Sequence, residues 1–240
     1  MKRIAVCVLM LAAGIFAGSG DYAYQARKYF LQGRYSTAYN QYALALKESR
    51  KEADLVAEGR ILTSMAMLAA HAMEYEGAKE LFDLVRVDAL DEKGKEYFCK
   101  AYMEFYNLQG KYKESFEIAS RYSFKKTSAV FFGEAAIAAA GSKKSNEAAA
   151  YLKKINKGDS PGQLAFYEAR VADLNGKESR ELYENALRFS SEKKQYFTSG
   201  TILLRLAEIT GNKDYAARSA AVFSGLGLAK PFQKAEEATK

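Results

Sequence analysis

Leu31–Tyr35 reads LQGRY, and Leu108–Tyr112 reads LQGKY, 77 residues further on. A glycine set among helix-compatible residues marks a tight turn, because glycine alone enters left-handed backbone conformations at little cost. After the first copy, STAYNQYALALK spaces Ala38, Tyr42 and Ala45 four and then three apart, which puts them on one helix face. Before it, Ala26 and Tyr29 share a face within YQARKYFLQ. The unit is helix, tight turn, helix, with a small residue on each helix where the axes approach.

The small residue of the second helix recurs as Ala38, Ala78, Ser115, Ala148, Ser179 and Ala216, at steps of 40, 37, 33, 31 and 37 residues. Tyr42, Phe82, Ala119, Leu152, Tyr183 and Ala220 follow four later, and Ala45, Val85, Tyr122, Ile155, Ala186 and Phe223 three after that. The first helices keep their own register in Ala26/Tyr29, Ala66/Ala69, Met103/Tyr106, Ala136/Ala139, Ala169/Ala172 and Leu204/Ala207. Turn glycines recur at Gly33, Gly110, Gly176 and Gly211. The two longest early steps place linkers at KESRKEADLVAEG and VRVDALDEKGKE. A single hairpin of this size cannot bury its apolar stripe, so neighbours must stack.

QARKYFLQGRYSTAYNQYALAL and CKAYMEFYNLQGKYKESFEIA carry a resemblance to the tetratricopeptide repeat, a family whose unit is two antiparallel helices of about 34 residues. The resemblance runs from about Asp21 to Gly225. It departs from the pattern at Ala136–Ile155, which lacks the turn glycine, and at FYEARVADLNGKESRELYENAL, whose turn is short. It implies an all-α, right-handed superhelix of five to six antiparallel helical hairpins, an α-α solenoid. The repeat domain is expected over 20–228, followed by a C-terminal tail over 229–240, frayed or briefly helical. Gly225, Gly227 and Pro231 end the last repeat helix.

In this family the first helices line the concave face. The register then turns Arg27, Phe30, Arg60, Met67, Tyr97, Lys100, Glu104, Asn107, Phe166, Arg170 and Arg205 toward it. Some relatives clamp a peptide's terminal carboxylate with such cations. The resemblance therefore implies a groove for an extended or helical segment of an acidic-ended partner protein.

MKRIAVCVLMLAAGIFAGSG has the layout of a signal peptide over 1–19: basic Lys2 and Arg3, an apolar run from Ile4 to Phe16, then small residues with cleavage near Ser19. The apolar run is short for a membrane span. Its removal lowers the net charge from +7 to +5 and leaves Cys99 as the one cysteine, so no intramolecular disulfide is expected. That charge is too dispersed for a nucleic-acid binder. The expected location is the periplasm or the exterior.

No recognised catalytic or phosphate-binding motif occurs in the chain. His71 is the single histidine, and Met65, Met67 and Met73 flank it. Only Met67 shares its face, which points to packing rather than to copper. Glu48, Glu52, Glu104 and Glu147 read as isolated carboxylates on helix faces. The expected function is non-enzymatic: a protein-protein interaction scaffold or adaptor of the cell envelope, with no cofactor and no metal. The alternative is a structural subunit of a larger envelope machine for outer-membrane assembly, secretion or flagellar function. The third reading, an enzyme or small-ligand protein, would be supported by a closed apolar pocket with converging polar groups.

Overall fold

The computed structural model describes residues 18–125, 127–156 and 161–239. The expected signal peptide, apart from Gly18 and Ser19, lies outside the described residues. The described residues form thirteen α-helices and no strand. They are α1 (Ser19–Leu31), α2 (Tyr35–Lys51), α3 (Leu55–His71), α4 (Tyr75–Asp83), α5 (Glu92–Leu108), α6 (Tyr112–Arg121), α7 (Ala129–Gly141), α8 (Ser145–Lys153), α9 (Pro161–Leu174), α10 (Arg180–Glu192), α11 (Tyr196–Thr210), α12 (Lys213–Gly225) and α13 (Ala229–Glu237). The first twelve pair as six hairpins, from α1/α2 to α11/α12, and α13 packs on α12. First helices of successive hairpins also touch, α3 with α5, α5 with α7 and α7 with α9. This is an all-α solenoid. No described helix is long and apolar enough to cross a membrane.

The stacking is set by the small residues. Ala38, Ala78, Ser115, Ala148, Ser179 and Ala216 are all buried. Five of them stand four residues after their helix's N-cap (Arg34, Glu74, Lys111, Lys144 and Asn212), one turn into the helix. A larger side chain there would hold the paired axes apart. Ser115 exploits the approach, its Oγ donating to the Met103 carbonyl of the partner helix at 3.2 Å. In the fifth unit Ser179 comes three residues after Gly176, whereas Ala38 comes five after Gly33. There the small residue is itself the N-cap, and α10 lacks the turn that precedes it elsewhere.

The turns share one backbone solution. Gly33, Gly110, Gly176 and Gly211 have φ between 67° and 76°, the left-handed region. Met73 and Lys143 occupy the same region, with φ 59° and 63°, and so close the two hairpins whose turns have no glycine. Ala53 and Lys194 repeat it between hairpins, at φ 52° and 54°.

The two expected linkers differ. VRVDALDEKGKE does hold one, a short 3-10 turn at Val87–Ala89 between α4 and α5. KESRKEADLVAEG does not: α2 runs through Lys51 and α3 starts at Leu55, so the extra residues lengthen two helices to 17 residues each. The tail is ordered over Ala229–Glu237 as α13, with Pro231 in its first turn, where no backbone donor is missed. Pro231 and Ala235 are buried.

The stack closes on itself. One apolar cluster joins Ala26, Tyr35 and Ala38 of the first hairpin to Leu204, Phe223, Leu226 and Ala235 near the C-terminus. Gly33 meets this end so closely that a Cβ on it would lie 2.7 Å from Leu226 Cδ2. Lys230 Nζ reaches Glu74 at 2.7 Å across the same junction.

Candidate functional site

Closure turns the concave face into a cavity of about 510 Å³. The first helices of hairpins two to six supply most of its wall, and Met73, Tyr75, Tyr112, Phe223, Pro231 and Lys234 complete it. Ile137, Phe166, Leu174 and Leu204 are part of its apolar surface. Two polar groupings converge on it.

The first is an ionic cluster around Asp173. Arg205 donates to both its oxygens, Nε to Oδ2 at 2.8 Å and Nη2 to Oδ1 at 2.7 Å. Tyr183 donates its hydroxyl to Oδ2 at 3.0 Å. Burial alone would raise the Asp173 carboxyl, but the hydrogen bonds and charge of Arg205 outweigh it and hold the group below its ordinary range. Arg170 is held more loosely. Its guanidinium contacts are 3.3 Å to Asp173 Oδ2, 3.4 Å to the Tyr183 hydroxyl and 3.5 Å to the Tyr112 hydroxyl. Arg205 also pairs with Glu208 at 2.7 Å, and Lys234 stands 3.9 Å from Glu208.

The second grouping is a wall of acceptors. His71 Nε2 lies 3.0 Å from Glu104 Oε1, and its Nδ1 is 3.5 Å from the Tyr35 hydroxyl. Three residues on from Glu104, Asn107 Nδ2 donates to the Glu134 carbonyl at 3.0 Å and to Glu134 Oε2 at 2.9 Å. The carbonyl can only accept, which fixes the amide's orientation and turns Asn107 Oδ1 the other way. That oxygen is buried without a hydrogen-bond partner among the described residues. Glu134 is 5% exposed. Burial, reinforced by the charge of Glu104, pushes its carboxyl up to about 8, against the hydrogen bonds from Asn107 and Tyr167. At neutral pH it is largely protonated.

Glu104, Asn107, Phe166, Arg170 and Arg205, expected on the concave face, line the cavity. Phe30 stands behind it, its ring 6.2 Å from His71. Five others stand away from the lining. Arg60 pairs with Asp91 at 2.7 Å. Lys100 lies 5.3 Å over the Tyr97 ring and 3.8 Å from Glu96. Tyr97 bonds Ser64 at 3.0 Å, Met67 is half-buried, and Arg27 is exposed. The cations on the cavity wall are offset by carboxylates of the same wall, so the surface is balanced in charge rather than basic.

Glu104 is no isolated solvated carboxylate: it lies 3.0 Å from His71, which is buried and stacks on Phe197. Glu134 was not singled out from sequence. Its signal was available: it is the one charged residue in AVFFGEAAIAAAG, which is apolar on every face and hence buried all round. Both tyrosines of the repeated LQG[RK]Y also serve the cavity, Tyr112 as lining and Tyr35 as a partner of His71.

No protein-family model matches the chain, and no curated protein matches it.

Proposed function

We propose that this chain is a non-enzymatic scaffold or adaptor of the cell envelope, exported to the periplasm and built on repeats of the tetratricopeptide type. Its central cavity takes the end of a partner protein's chain. The observation that carries this reading is the Arg170 guanidinium, held only by long contacts on the wall of the 510 Å³ cavity. That volume suits a compact ligand. A partner helix, about 10 Å across, would fill it in roughly one turn, so a chain end fits and a long segment does not. Arg170, with its long contacts, offers a guanidinium to an incoming carboxylate, which makes shorter, charge-assisted bonds. Binding is favoured over catalysis by how two of the titratable groups, Asp173 and His71, are occupied. Asp173 is spent on two arginines, and His71 is stacked and hydrogen-bonded.

A structural subunit is the second reading. Leu84 (57% exposed) and Leu55 (39%) flank an outer groove of about 220 Å³ between Arg50 and Arg86. Site-specific photocrosslinking in intact cells separates the two. A crosslinker at Thr198, on the cavity wall, captures a discrete partner under the adaptor reading, while one at Leu84 does not. Capture from Leu84 alone overturns that reading in favour of the subunit.

A further inference from the structure

The cavity wall carries charges of both signs. Glu104 and Asn107 stand one turn apart on α5, so their side chains share a face. Both line the cavity. Glu104 Oε1 accepts from His71, which leaves Glu104 Oε2 and Asn107 Oδ1 both without a hydrogen-bond partner among the described residues. This pair offers acceptors and no donor, the arrangement that receives an ammonium. On α9, also lining the cavity, stands Arg170 with its three long contacts. Its charge is felt at Glu134, so the two lie within electrostatic reach of each other.

From these observations we infer that the cavity selects a partner chain end whose last residue is basic, with the terminal carboxylate on Arg170 and the side-chain ammonium between Glu104 and Asn107. This rests on the chain-end reading given above and specifies its ligand. Charge balance favours it over a purely acidic end. Glu104, Asp173 and Glu208 already offset Arg170, Arg205 and Lys234 around the wall. A lone carboxylate buried there would leave one negative charge uncompensated, whereas a carboxylate with its own ammonium would not. The apolar surface of Phe166 and Ile137 suits the methylene stem of a lysine between the two charges.

Calorimetric titration of the full chain with three acetylated tetrapeptides tests this: Ala-Ala-Ala-Lys as free acid, the same peptide as C-terminal amide, and Ala-Ala-Ala-Leu as free acid. The lysine acid should bind about tenfold or more tightly than either of the others. Glu104→Gln, its fold checked by circular dichroism, should remove the preference for lysine over leucine while leaving the preference for acid over amide. Equal binding of the lysine and leucine acids overturns the inference and leaves the chain-end reading standing. If neither acid binds more tightly than the amide, the chain-end reading falls with it. Free L-lysine binding as tightly as the peptide shows a small-molecule site and overturns both.

Discussion

The imidazole of His71 lies flat on the ring of Phe197, with centroids 3.8 Å and planes 11° apart. One ring ends α3 and the other lies in the first turn of α11, so this contact joins the second hairpin directly to the sixth where the stack closes. Phe197→Ala removes the stacked partner and part of the C-terminal apolar cluster. Phe197 is only half-buried, so the expected loss is about 2 kcal/mol, below that of a core phenylalanine. Denaturant unfolding measures it, and small-angle scattering should show a larger radius of gyration as the ends part. An unchanged radius would mean that other contacts hold the closure.

Gly33 and Gly110 occupy the same place in the repeated turn, at φ 76° and 72°. Alanine at either costs about 1–2 kcal/mol for the left-handed backbone. Only at Gly33 does the new Cβ meet the far end of the chain, 2.7 Å from Leu226 Cδ2; at Gly110 the nearest atom, on Tyr112, is 4.0 Å away. Gly33→Ala should therefore lower the melting temperature more than Gly110→Ala. Equal losses would remove Gly33 from the closure.

Ala53 is exposed and left-handed, with φ 52°. Ala53→Gly relieves the backbone strain without removing a contact, at the entropic cost of a more flexible unfolded chain. A net gain of about 0.5 kcal/mol is expected from chemical denaturation.

How much of this was readable in advance depended on how few residues satisfy each demand. Close helix approach tolerates only alanine, glycine or serine, so the register of Ala38 through Ala216 stood out in the sequence, and all six residues are buried. A left-handed turn tolerates glycine best but accepts others, so the turns at Ala53, Met73, Lys143 and Lys194 left no mark. KESRKEADLVAEG is rich in charge and reads as a linker, yet helix capping by Asp54 on the amide of Ala57 splits it cleanly between two helices. Closure depends on pairs such as Gly33 with Leu226, for which no periodicity exists. The cavity followed from closure, and so did its balanced charge: Asp173 reaches Arg205 only because α9 and α11 face a common interior.

Cys99 is fully buried. Burial, with the nearby charge of Glu96, pushes its thiol up to about 12, so almost no thiolate forms near neutral pH. Iodoacetamide should leave Cys99 unmodified in the folded chain at pH 8 and alkylate it in denaturant, with mass spectrometry as the readout. Rapid labelling of the native chain would place the thiol at the surface.

Glu134 gives the fold a pH dependence of defined sign. Its carboxyl ionises near 8 in the folded chain, against an ordinary glutamate value of 4.5. Between those values the folded state holds a proton that the unfolded state has released, so unfolding free energy falls as pH rises. The contribution is intact below pH 4.5 and is progressively lost up to and beyond pH 8. The groups facing Glu134 are Glu104 and Asn107 from α5 and Tyr167 and Arg170 from α9. Burial raises the Tyr167 hydroxyl well above its ordinary value, so it does not titrate in this window. Glu134→Gln keeps an acceptor for Asn107 and has nothing to ionise. Its melting temperature should vary little between pH 5 and pH 9, whereas that of the wild type declines, and the variant should be the more stable of the two at pH 9. Parallel profiles for the two chains would show that Glu134 is ionised throughout, and the cavity would then hold a net negative charge.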